Sequence, residues 1–372
     1  MKTKLAIFAI TAILFGFGTL WTIDNGAQFA GFSIHGNTNQ TASVKIGMME
    51  SLSIWLMSYI KKVDLDQNHG ELVKVTLDNE NQTNSYSAIL KFADANKISI
   101  IIGGDVMLDR NIRALGEKNG YDSLFSAITP LFNSVDIVAI NLEGPITSSS
   151  SRTSLSDGSL TESFSFTFDP KTVSALAKAH INVVSLANNH TDNFGMEGLN
   201  ETRYLLSETG IQWFGNPWNI SPVDTTVSIN GSNVAFVGYN AFQKGFPNIV
   251  ARIKELSKQG NFVIVMPHWG EEYAAKPTEK MRGQARELVV AGANAIMGSH
   301  SHVIGENEWI GAVPVYYSLG NLLFDQYFSP ETMRGELVEL RLIVKNGQTH
   351  FDSLKVIEIS NASRKGIEMI NN

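Results

Sequence analysis

From residue 97 onward, short apolar runs typical of buried strands alternate with segments whose apolar residues recur at helical spacing. The pattern predicts strands over 98–102, 136–140, 182–186, 234–239, 262–266 and 293–297. It predicts helices over 121–133, 170–180, 195–209, 248–258 and 279–291. Three further strands, over 313–317, 336–344 and 351–359, follow without helices between them. This order indicates one layered α/β domain with a β-rich closing section, which we expect to span 98–360.

The first residues carry a pattern of a different kind. Lys2 and Lys4 precede an apolar run over 5–23, which as a helix would reach about 28 Å, close to the hydrocarbon core of about 30 Å. The next positive charge is Lys45, so the charge asymmetry predicts a cytoplasmic N-terminus with the remaining chain outside. We expect residues 1–27 to form a single membrane anchor. A signal peptide that is cleaved, giving a secreted protein, is the alternative.

Residues 28–97 are poorly specified by their pattern and are expected to act mainly as a linker. Stretches rich in Asn, Thr and Ser, at 37–40 and 79–87, predict solvated loop. Between them, 48–60 is an apolar segment too short to span a membrane. It is expected to form a packing helix, with an interfacial helix as the alternative.

Composition excludes several classes of protein. Charged residues make up 17% and hydrophobic residues 43%, so the chain as a whole is not disordered. The net charge of −7 argues against a nucleic-acid partner, which would favour a basic surface. There is no cysteine, which excludes disulfides, thiolate metal sites, cysteine nucleophiles and cysteine-linked lipid anchors.

Five predicted strands run into residues that can ligate metal ions, and sites in open α/β sheets form outside the carboxyl ends of strands. These residues are Asp105, Glu143, Asn189 with His190, His268, and His300 with His302. Imidazole with carboxylate and amide oxygens suits Zn, Mn, Fe or Ni and needs no cysteine. If the His300–His302 segment is extended, both rings point to the same side. The remaining histidines lack this context and are expected to be solvated or structural: His35, His69, His180 and His350.

Six segments together resemble the successive motifs of the CapA-type bacterial capsule-synthesis proteins. They are GGDVMLDR at 103–110, NLEGP at 141–145, NNH at 188–190, PHWGEEY at 267–273, GSHSH at 298–302 and SLGN at 318–321. That family belongs to poly-γ-glutamate capsule biosynthesis and is similar in fold to calcineurin-like metallophosphoesterases. The resemblance covers about 98–344. It implies a four-layer α/β/β/α sandwich in which two sheets face each other and the metal site lies at their strand ends.

The resemblance also implies roles for single residues. The implied ligands of two divalent ions (Mn, Zn or Fe) are Asp105, Glu143, Asn189, His268, His300 and His302. It makes His190 the general acid, with Asn189 as an orienting donor. Arg110 is placed to stabilise an anionic substrate, although a surface salt bridge is an equal alternative. Four residues after His268 are expected at the pocket rim: Trp269, Glu271, Glu272 and Tyr273. For Trp269, a packing role is favoured.

Three residues depart from the patterns that they resemble. Met107 stands where the metallophosphoesterases have a histidine, and its thioether is not a hard ligand. Glu143 replaces an aspartate that bridges two metals. Asn193 stands where the CapA pattern usually has aspartate. With these departures, Met107 leaves the first metal one ligand short of the metallophosphoesterase pattern, and position 193 has no assigned role beside the site.

The resemblance implies a membrane-associated protein of capsule synthesis or export whose main domain lies outside the cytoplasm. Its implied substrate is an anionic polymer or a phosphoester. Its implied partners are other membrane subunits of capsule synthesis. Two alternatives stay open. One is a metal-dependent hydrolase of phosphoesters, or of amides in polymer or cell wall, unrelated to capsule. The other is a scaffold without turnover, which Met107 slightly favours. No basic cluster that would bind polyglutamate is visible in the sequence.

Overall fold

The computed structural model describes residues 97–153, 159–345 and 347–370 with their side chains, and four earlier strands by their backbone alone. The chain divides into two units, Met1–Asn96 and Lys97–Asn372. The expected anchor at 1–27 and the expected helix at 48–60 lie outside the described residues. Within the described part of the chain, no helix has the length and apolar character needed to cross a membrane.

The first unit contains a four-stranded sheet in the order β1-β2-β3-β4. Its strands are β1 (Ser33–Asn37), β2 (Thr41–Ile46), β3 (Val73–Asn79) and β4 (Gln82–Ala88). The two outer pairs are antiparallel and β2 pairs with β3 in parallel. The expectation of a loop over 79–87 is therefore wrong. The polar sequence QTNSYSA forms β4 because it pairs with β3 along its whole length.

The second unit is a mixed α/β domain with two sheets, which confirms the predicted class. Its strands are β5 (Lys97–Val106), β6 (Ile137–Leu142), β7 (Val183–Ser185), β8 (Gln212–Phe214), β9 (Asp224–Ile229), β10 (Ser232–Asn240), β11 (Phe262–His268), β12 (Ala295–Met297), β13 (Asn307–Ile310), β14 (Val313–Tyr316), β15 (Asn321–Leu323), β16 (Arg334–Lys345), β17 (Gln348–Ser360) and β18 (Glu368–Met369). Its α-helices are α1 (Arg110–Asn119), α2 (Thr129–Phe132), α3 (Lys171–Lys178), α4 (Gly195–Glu208), α5 (Phe246–Lys258) and α6 (Glu279–Ala291).

Strands β5 to β8 run parallel in the larger sheet, whose order is β18-β17-β16-β5-β6-β7-β8 with β15 paired to β5. The smaller sheet has the order β13-β14-β12-β11-β10-β9, and β10, β11, β12 and β14 are parallel. The parallel strands of each sheet bring their carboxyl ends to one edge, which is where the candidate ligands lie.

Alternation along the strands divides the apolar side chains among three cores. On β5, Ile100 and Ile102 join the core between the two sheets, while Ile101 faces the core that contains residues of α1, α3 and α4. On β10, Phe236 lies between the sheets, while Val237 packs with residues of α5 and α6. Each sheet therefore has helices on one face and the other sheet on its other face.

The pattern predicted the long helices well and the segments around β5 poorly. The helix expected over 121–133 is wrong: the chain forms a 3-10 turn at Tyr121–Phe125 and the single turn of α2. Helix α1 was not predicted, because its sequence has few apolar residues and includes Gly116, against which the Tyr121 ring packs. Strand β5 continues through Gly103 and Gly104, where it was expected to end, because β16 pairs with it at Gly103 and β15 pairs with it at Asp105 and Val106.

Candidate metal centre

The carboxyl ends of strands from both sheets bring the predicted ligands together. The larger sheet contributes Asp105, Glu143, Asn189 and His190, and the smaller sheet contributes His268, His300 and His302. All but Asn189 and His190 are buried. The prediction that these strand ends share one polar site agrees with this geometry.

Glu143 lies at the centre of the site. Its Oε1 atom lies 3.7, 3.9 and 4.0 Å from three imidazole Nε2 atoms, those of His302, His268 and His190. Neither carboxylate oxygen has a hydrogen-bond partner among the described residues. Burial raises the pKa of Glu143 well above its ordinary value, and the negative charge of Asp105 adds to the shift. A buried carboxylate without partners is costly unless a cation or a proton compensates it.

Two sets of ligand atoms share Glu143. One set joins it to His268 and His300, and the other joins it to Asp105 and His302. Within each set the ligand atoms lie within 4.8 Å of one another. A carboxylate common to two sets is placed to bridge two metal ions.

The imidazoles of the first set are held as neutral bases. His268 Nε2 lies 2.8 Å from Asn189 Oδ1 and 3.1 Å from His300 Nδ1. Burial lowers the pKa of His268 well below its ordinary value, and burial lowers that of His300 to about 4, with neighbouring histidines adding to both shifts. Near neutral pH both rings therefore keep lone pairs for a cation.

Buried amides that the sequence pattern assigned no role support the carboxylate side of the site. Asn141 Nδ2 donates to Asp105 Oδ1 at 2.7 Å, and Asn188 Nδ2 donates to Asn141 Oδ1 at 3.1 Å. Asn188 Oδ1 in turn accepts the backbone N–H groups of His190 and Thr191. Both asparagines lie inside motifs that resemble the family, and this position was the sequence signal that could have identified them. They fix the turn that presents Asn189 and His190.

Two further polar side chains orient the rings. Ser299 Oγ lies 2.9 Å from His268 Nδ1, and Asn321 Oδ1 lies 3.0 Å from His302 Nδ1. With Nδ1 engaged in this way, the Nε2 atoms of His302 and His268 lie on the side of Glu143, and His268 Nε2 also contacts Asn189 Oδ1. Such outer partners set the tautomer of a ligating histidine.

The His300–His302 segment is not extended, so the condition under which both rings would point to the same side is not met. The two residues have φ angles of 94° and 59°, so they lie in a tight loop and not in a strand. Asp105 Oδ2 accepts the backbone N–H of His300 at 3.0 Å, and Ser301 Oγ donates to the Val303 carbonyl at 3.1 Å. These contacts stabilise the loop, and the two ring centroids still lie 6.0 Å apart.

Met107 is turned away from the site. Its side chain is buried in the helix-side core, and its sulfur accepts the backbone N–H of Asp109 at 3.1 Å. The thioether therefore packs and does not face Asp105 as a ligand would. Among the described side chains, the Asp105 set consists of two carboxylates and one imidazole.

His190 has a defined tautomer. Asn193 Oδ1 accepts the backbone N–H of Phe166 at 2.8 Å and lies 3.1 Å from His190 Nδ1. Since a backbone N–H can only donate, the shared atom is the carbonyl oxygen and His190 must donate from Nδ1. The Nε2 lone pair of the neutral ring is then directed toward Glu143. Burial, which includes the Phe166 ring at 4.5 Å, lowers the pKa of His190.

Replacing Asn193 by aspartate is expected to raise the pKa of His190. A carboxylate beside Nδ1 favours the imidazolium form, whereas the amide adds no charge. The measurement is an NMR titration of the His190 ring in metal-free protein, with the resonance assigned by its loss in His190→Ala. An unchanged or lowered pKa in Asn193→Asp would contradict this interpretation.

Arg110 is paired inside the protein. Its guanidinium forms an ion pair with Asp325 and lies 5.1 Å from the Phe166 centroid and 5.5 Å from the Phe324 centroid. Its side chain is only 15% exposed. Both rings in turn contact histidines of the site. The role of Arg110 toward an anionic substrate stays a prediction.

The described residues between 148 and 165 are tied to the start of α1. Ser151 and Thr153 donate to the carboxylate of Asp109, which is buried and also accepts from Arg113. The end of this segment leads into Phe166, which contacts His190. Residues 154–158 lie outside the described part of the chain.

The other predicted residues have simpler surroundings. Trp269 is buried and stacks on Tyr317, as expected of a packing residue. His180 Nε2 lies 3.2 Å from the Val135 carbonyl oxygen, which fits a structural role, and His350 lies on β17. The side chains of His35 and His69 lie outside the described residues.

The donor set fits divalent metal ions. Glu143 has two buried oxygens without partners, and it lies among neutral imidazoles, a second carboxylate and an amide oxygen. These ligand types suit borderline and hard divalent ions. The structure thus defines an α/β protein with a candidate metal centre built by two sheets.

Comparison with known families agrees with the motifs. The model of the family described as "Bacterial capsule synthesis protein PGA_cap" matches residues 99–326. The chain belongs to this family.

Curated relatives carry related names. The chain is 29% identical to the PGA biosynthesis protein CapA of Bacillus subtilis, over 67% of this chain and 68% of that protein. It is 29% identical to the capsule biosynthesis protein CapA of Bacillus anthracis, over 68% of this chain and 66% of that protein. The chain thus spans about two thirds of the length of these relatives. A probable polyglutamine synthesis accessory protein of Mycobacterium tuberculosis is 24% identical, over 66% of this chain and 80% of that protein.

Among solved structures, the calcineurin-like phosphoesterase YfkN of Bacillus subtilis is similar, with a TM-score of 0.45 and 14% identity. The alignment covers 72% of this chain and 92% of that one.

Proposed function

We propose that this protein is a membrane-associated, extracytoplasmic component of poly-γ-glutamate capsule synthesis or export, and that its site holds two divalent metal ions and hydrolyses a phosphoester. Family membership and the names of the Bacillus relatives support the pathway. The partner-free oxygens of Glu143, surrounded by imidazoles, are the observation that carries the metal site.

The residues divide between two ions. Glu143, Asn189, His268 and His300 would hold one, and Asp105, Glu143 and His302 would hold the other; Mn, Zn and Fe fit these donors. When bound, such a pair lowers the pKa of a water molecule and polarises a phosphoryl oxygen.

The remaining side chains prepare the site for the proton steps. His190 is the group best placed to transfer a proton to the leaving group, because its Nε2 faces Glu143 while Asn193 holds its Nδ1. Its lowered pKa means that the imidazolium form is populated only in acidic solution. We therefore expect acid catalysis by His190 to be favoured below neutral pH. Phe166 covers one ring face and limits the access of water.

The test is metal analysis of the full-length purified protein, supplied with Mn, Zn or Fe, together with hydrolysis of bis(p-nitrophenyl) phosphate. We expect about two ions per chain in the wild type, and loss of metal and turnover in Asp105→Ala and His300→Ala. His350→Ala, on β17, is the matched control and should retain both properties. A wild-type protein that binds none of these metals would exclude the hydrolase.

A scaffold without turnover is the second candidate, because Met107 supplies no ligand beside Asp105. It predicts bound metal with no hydrolysis of phosphodiesters, of other phosphoesters or of poly-γ-glutamate amides. A hydrolase that acts outside the capsule pathway would instead retain turnover while its gene deletion left capsule unchanged.

The location rests on the apolar run over 5–23 and the lysines before it. We expect the full chain in the membrane fraction and a reporter fused at its C-terminus to be active only outside the cytoplasm. Co-purification with other capsule-synthesis membrane subunits would test the proposed partners. Recovery in the culture medium, with a shortened N-terminus, would favour the signal peptide instead.

A further inference from the structure

Three aromatic side chains lie between the candidate metal centre and solvent. Phe242 is 48% exposed, Tyr273 is 47% exposed and Phe328 is 65% exposed. The Phe242 ring centroid lies 4.4 Å from that of His300, and the Tyr273 ring lies 6.2 Å from that of His302. Phe328 meets Tyr273 edge to face at 5.2 Å. We call these three side chains the aromatic rim: Phe242 lies beside His300, and Tyr273 with Phe328 lies beside His302.

The backbone carrying Phe242 is braced by two buried asparagines. Asn219 Nδ2 donates to the carbonyls of Asn240 at 2.7 Å and Lys244 at 3.1 Å, and Asn219 Oδ1 accepts the N–H of Asn240. Asn240 Oδ1 in turn accepts the N–H of Phe242 at 3.1 Å. The ring is thus held beside His300 instead of packing into a core. A fixed, exposed apolar ring at the mouth of a polar site is typical of a ligand-contacting surface.

Tyr273 is fixed in a similar way. Its backbone has a φ of 65°, and its N–H donates to the Ser301 carbonyl at 2.7 Å, in the loop that carries the two ligand histidines. The Gln326 side chain donates to the Tyr273 hydroxyl at 3.4 Å. Tyr273, which follows the candidate ligand His268 along the chain, is therefore tied to the loop that carries His300 and His302.

The charges at the site do not favour a polyanion bound by basic side chains. The guanidinium that acts on Glu143 and Tyr273 is that of Arg110, which is already paired with Asp325. Glu272, beside Tyr273, adds negative charge. Apart from the candidate metals, the described residues offer a substrate mainly the faces of aromatic rings.

We propose that the aromatic rim binds an uncharged six-membered ring attached to the substrate's phosphoryl group, so that the site selects ring-bearing phosphoesters over small or purely anionic ones. The inference rests on the proposed metal-dependent function. Ring contacts of this kind are expected to give about 3- to 10-fold in affinity.

Calorimetry with the full-length, manganese-loaded protein tests this, using phenylphosphonate, a glucopyranosyl phosphonate and methylphosphonate as non-hydrolysable probes. We expect one or both ring-bearing probes to bind about 3- to 10-fold more tightly than methylphosphonate, and the stronger of the two identifies an aryl or a sugar ring. Phe242→Ala should remove this preference while it keeps its metal content and its affinity for methylphosphonate. Trp309→Ala, an exposed aromatic on β13, should keep the preference.

The contrary results separate the two proposals. Equal binding of all three probes by the wild type, or a preference that survives in Phe242→Ala, would overturn the role of the rim and leave the metal site intact. A protein that takes up none of Mn, Zn and Fe would overturn the proposed metal site and this inference with it. A loaded protein that binds none of the probes would overturn this inference alone.

Discussion

Replacing Glu143 by glutamine is expected to remove both metal ions together and to lower phosphodiester hydrolysis by about 10³-fold or more. Glu143 is the carboxylate shared by the two ligand sets, and its oxygens have no other partner among the described residues. Loss of one preorganised group typically costs 10²- to 10³-fold in rate, and here both ions depend on it. Elemental analysis and initial rates provide the measurement.

The same substitution should stabilise the metal-free protein, increasingly so as pH rises. The pKa of Glu143 is raised in the folded state, so the wild type loses stability as pH climbs from the unfolded-state pKa through the folded-state pKa. Over the pH range in which the folded state keeps this proton and the unfolded state has lost it, the free energy of unfolding of the wild type falls, relative to that of Glu143→Gln, by about 1.4 kcal/mol per pH unit. Glutamine has no carboxyl proton to lose. Thermal unfolding with a chelator, measured from pH 5 to pH 8, should therefore show a gap between the melting temperatures of Glu143→Gln and the wild type that widens as pH rises.

Glu336→Gln is the matched control. Glu336 is another carboxyl group whose pKa is raised by burial, to about 7, and it lies on β16 outside both ligand sets. Its replacement should leave metal content unchanged. Retention of two ions by Glu143→Gln, or equal metal loss in Glu336→Gln, would contradict the bridging role of Glu143.

Replacing Gly104 by alanine is expected to destabilise the domain by roughly 3 kcal/mol or more. A Cβ atom there would lie 2.0 Å from the Gly320 carbonyl oxygen, which is backbone and cannot turn aside as a side chain would. Strand β15 would have to separate from β5 next to Asp105, so metal affinity should fall as well. Differential scanning calorimetry with and without metal measures both effects.

Gly283→Ala is the control for that substitution. Gly283 lies in α6, and apart from its chain neighbours and the adjacent backbone of that helix, no described atom lies within 4 Å of its ideal Cβ position. Alanine in a helix interior is favoured over glycine by about 0.5–1 kcal/mol, so this variant should be slightly more stable. A Gly104→Ala protein with the melting temperature and metal content of the wild type would show that the β5–β15 contact does not support the site.

The sequence pattern predicted the parts of the fold that depend on long periodic segments. Helices α4 and α6, of 14 and 13 residues, lie within one residue of their predicted bounds, because segments of this length are long enough to show a helical period. Short strands such as β8 and β15, of three residues each, were missed. They carry too few residues to show a period, and they form because neighbouring strands pair with them.

The candidate site was predictable as a set of strand-end ligands but not in its geometry. Spacing alone identified Asp105, Glu143 and the histidines, since strand ends converge in such sheets. It could not show that His300 and His302 adopt positive φ angles, because that loop is set by contacts with Asp105 from the other sheet. Nor could it show that Asp325, more than 200 residues away in sequence, pairs with Arg110.

The most direct test of the two-metal site is anomalous diffraction from crystals of the full-length protein grown with manganese. We expect two anomalous peaks about 3.5–4 Å apart, one on each side of the Glu143 carboxylate. One should lie among Asn189, His268 and His300, and the other beside Asp105 and His302. A single peak, or peaks away from Glu143, would contradict a two-metal site at the Glu143 carboxylate.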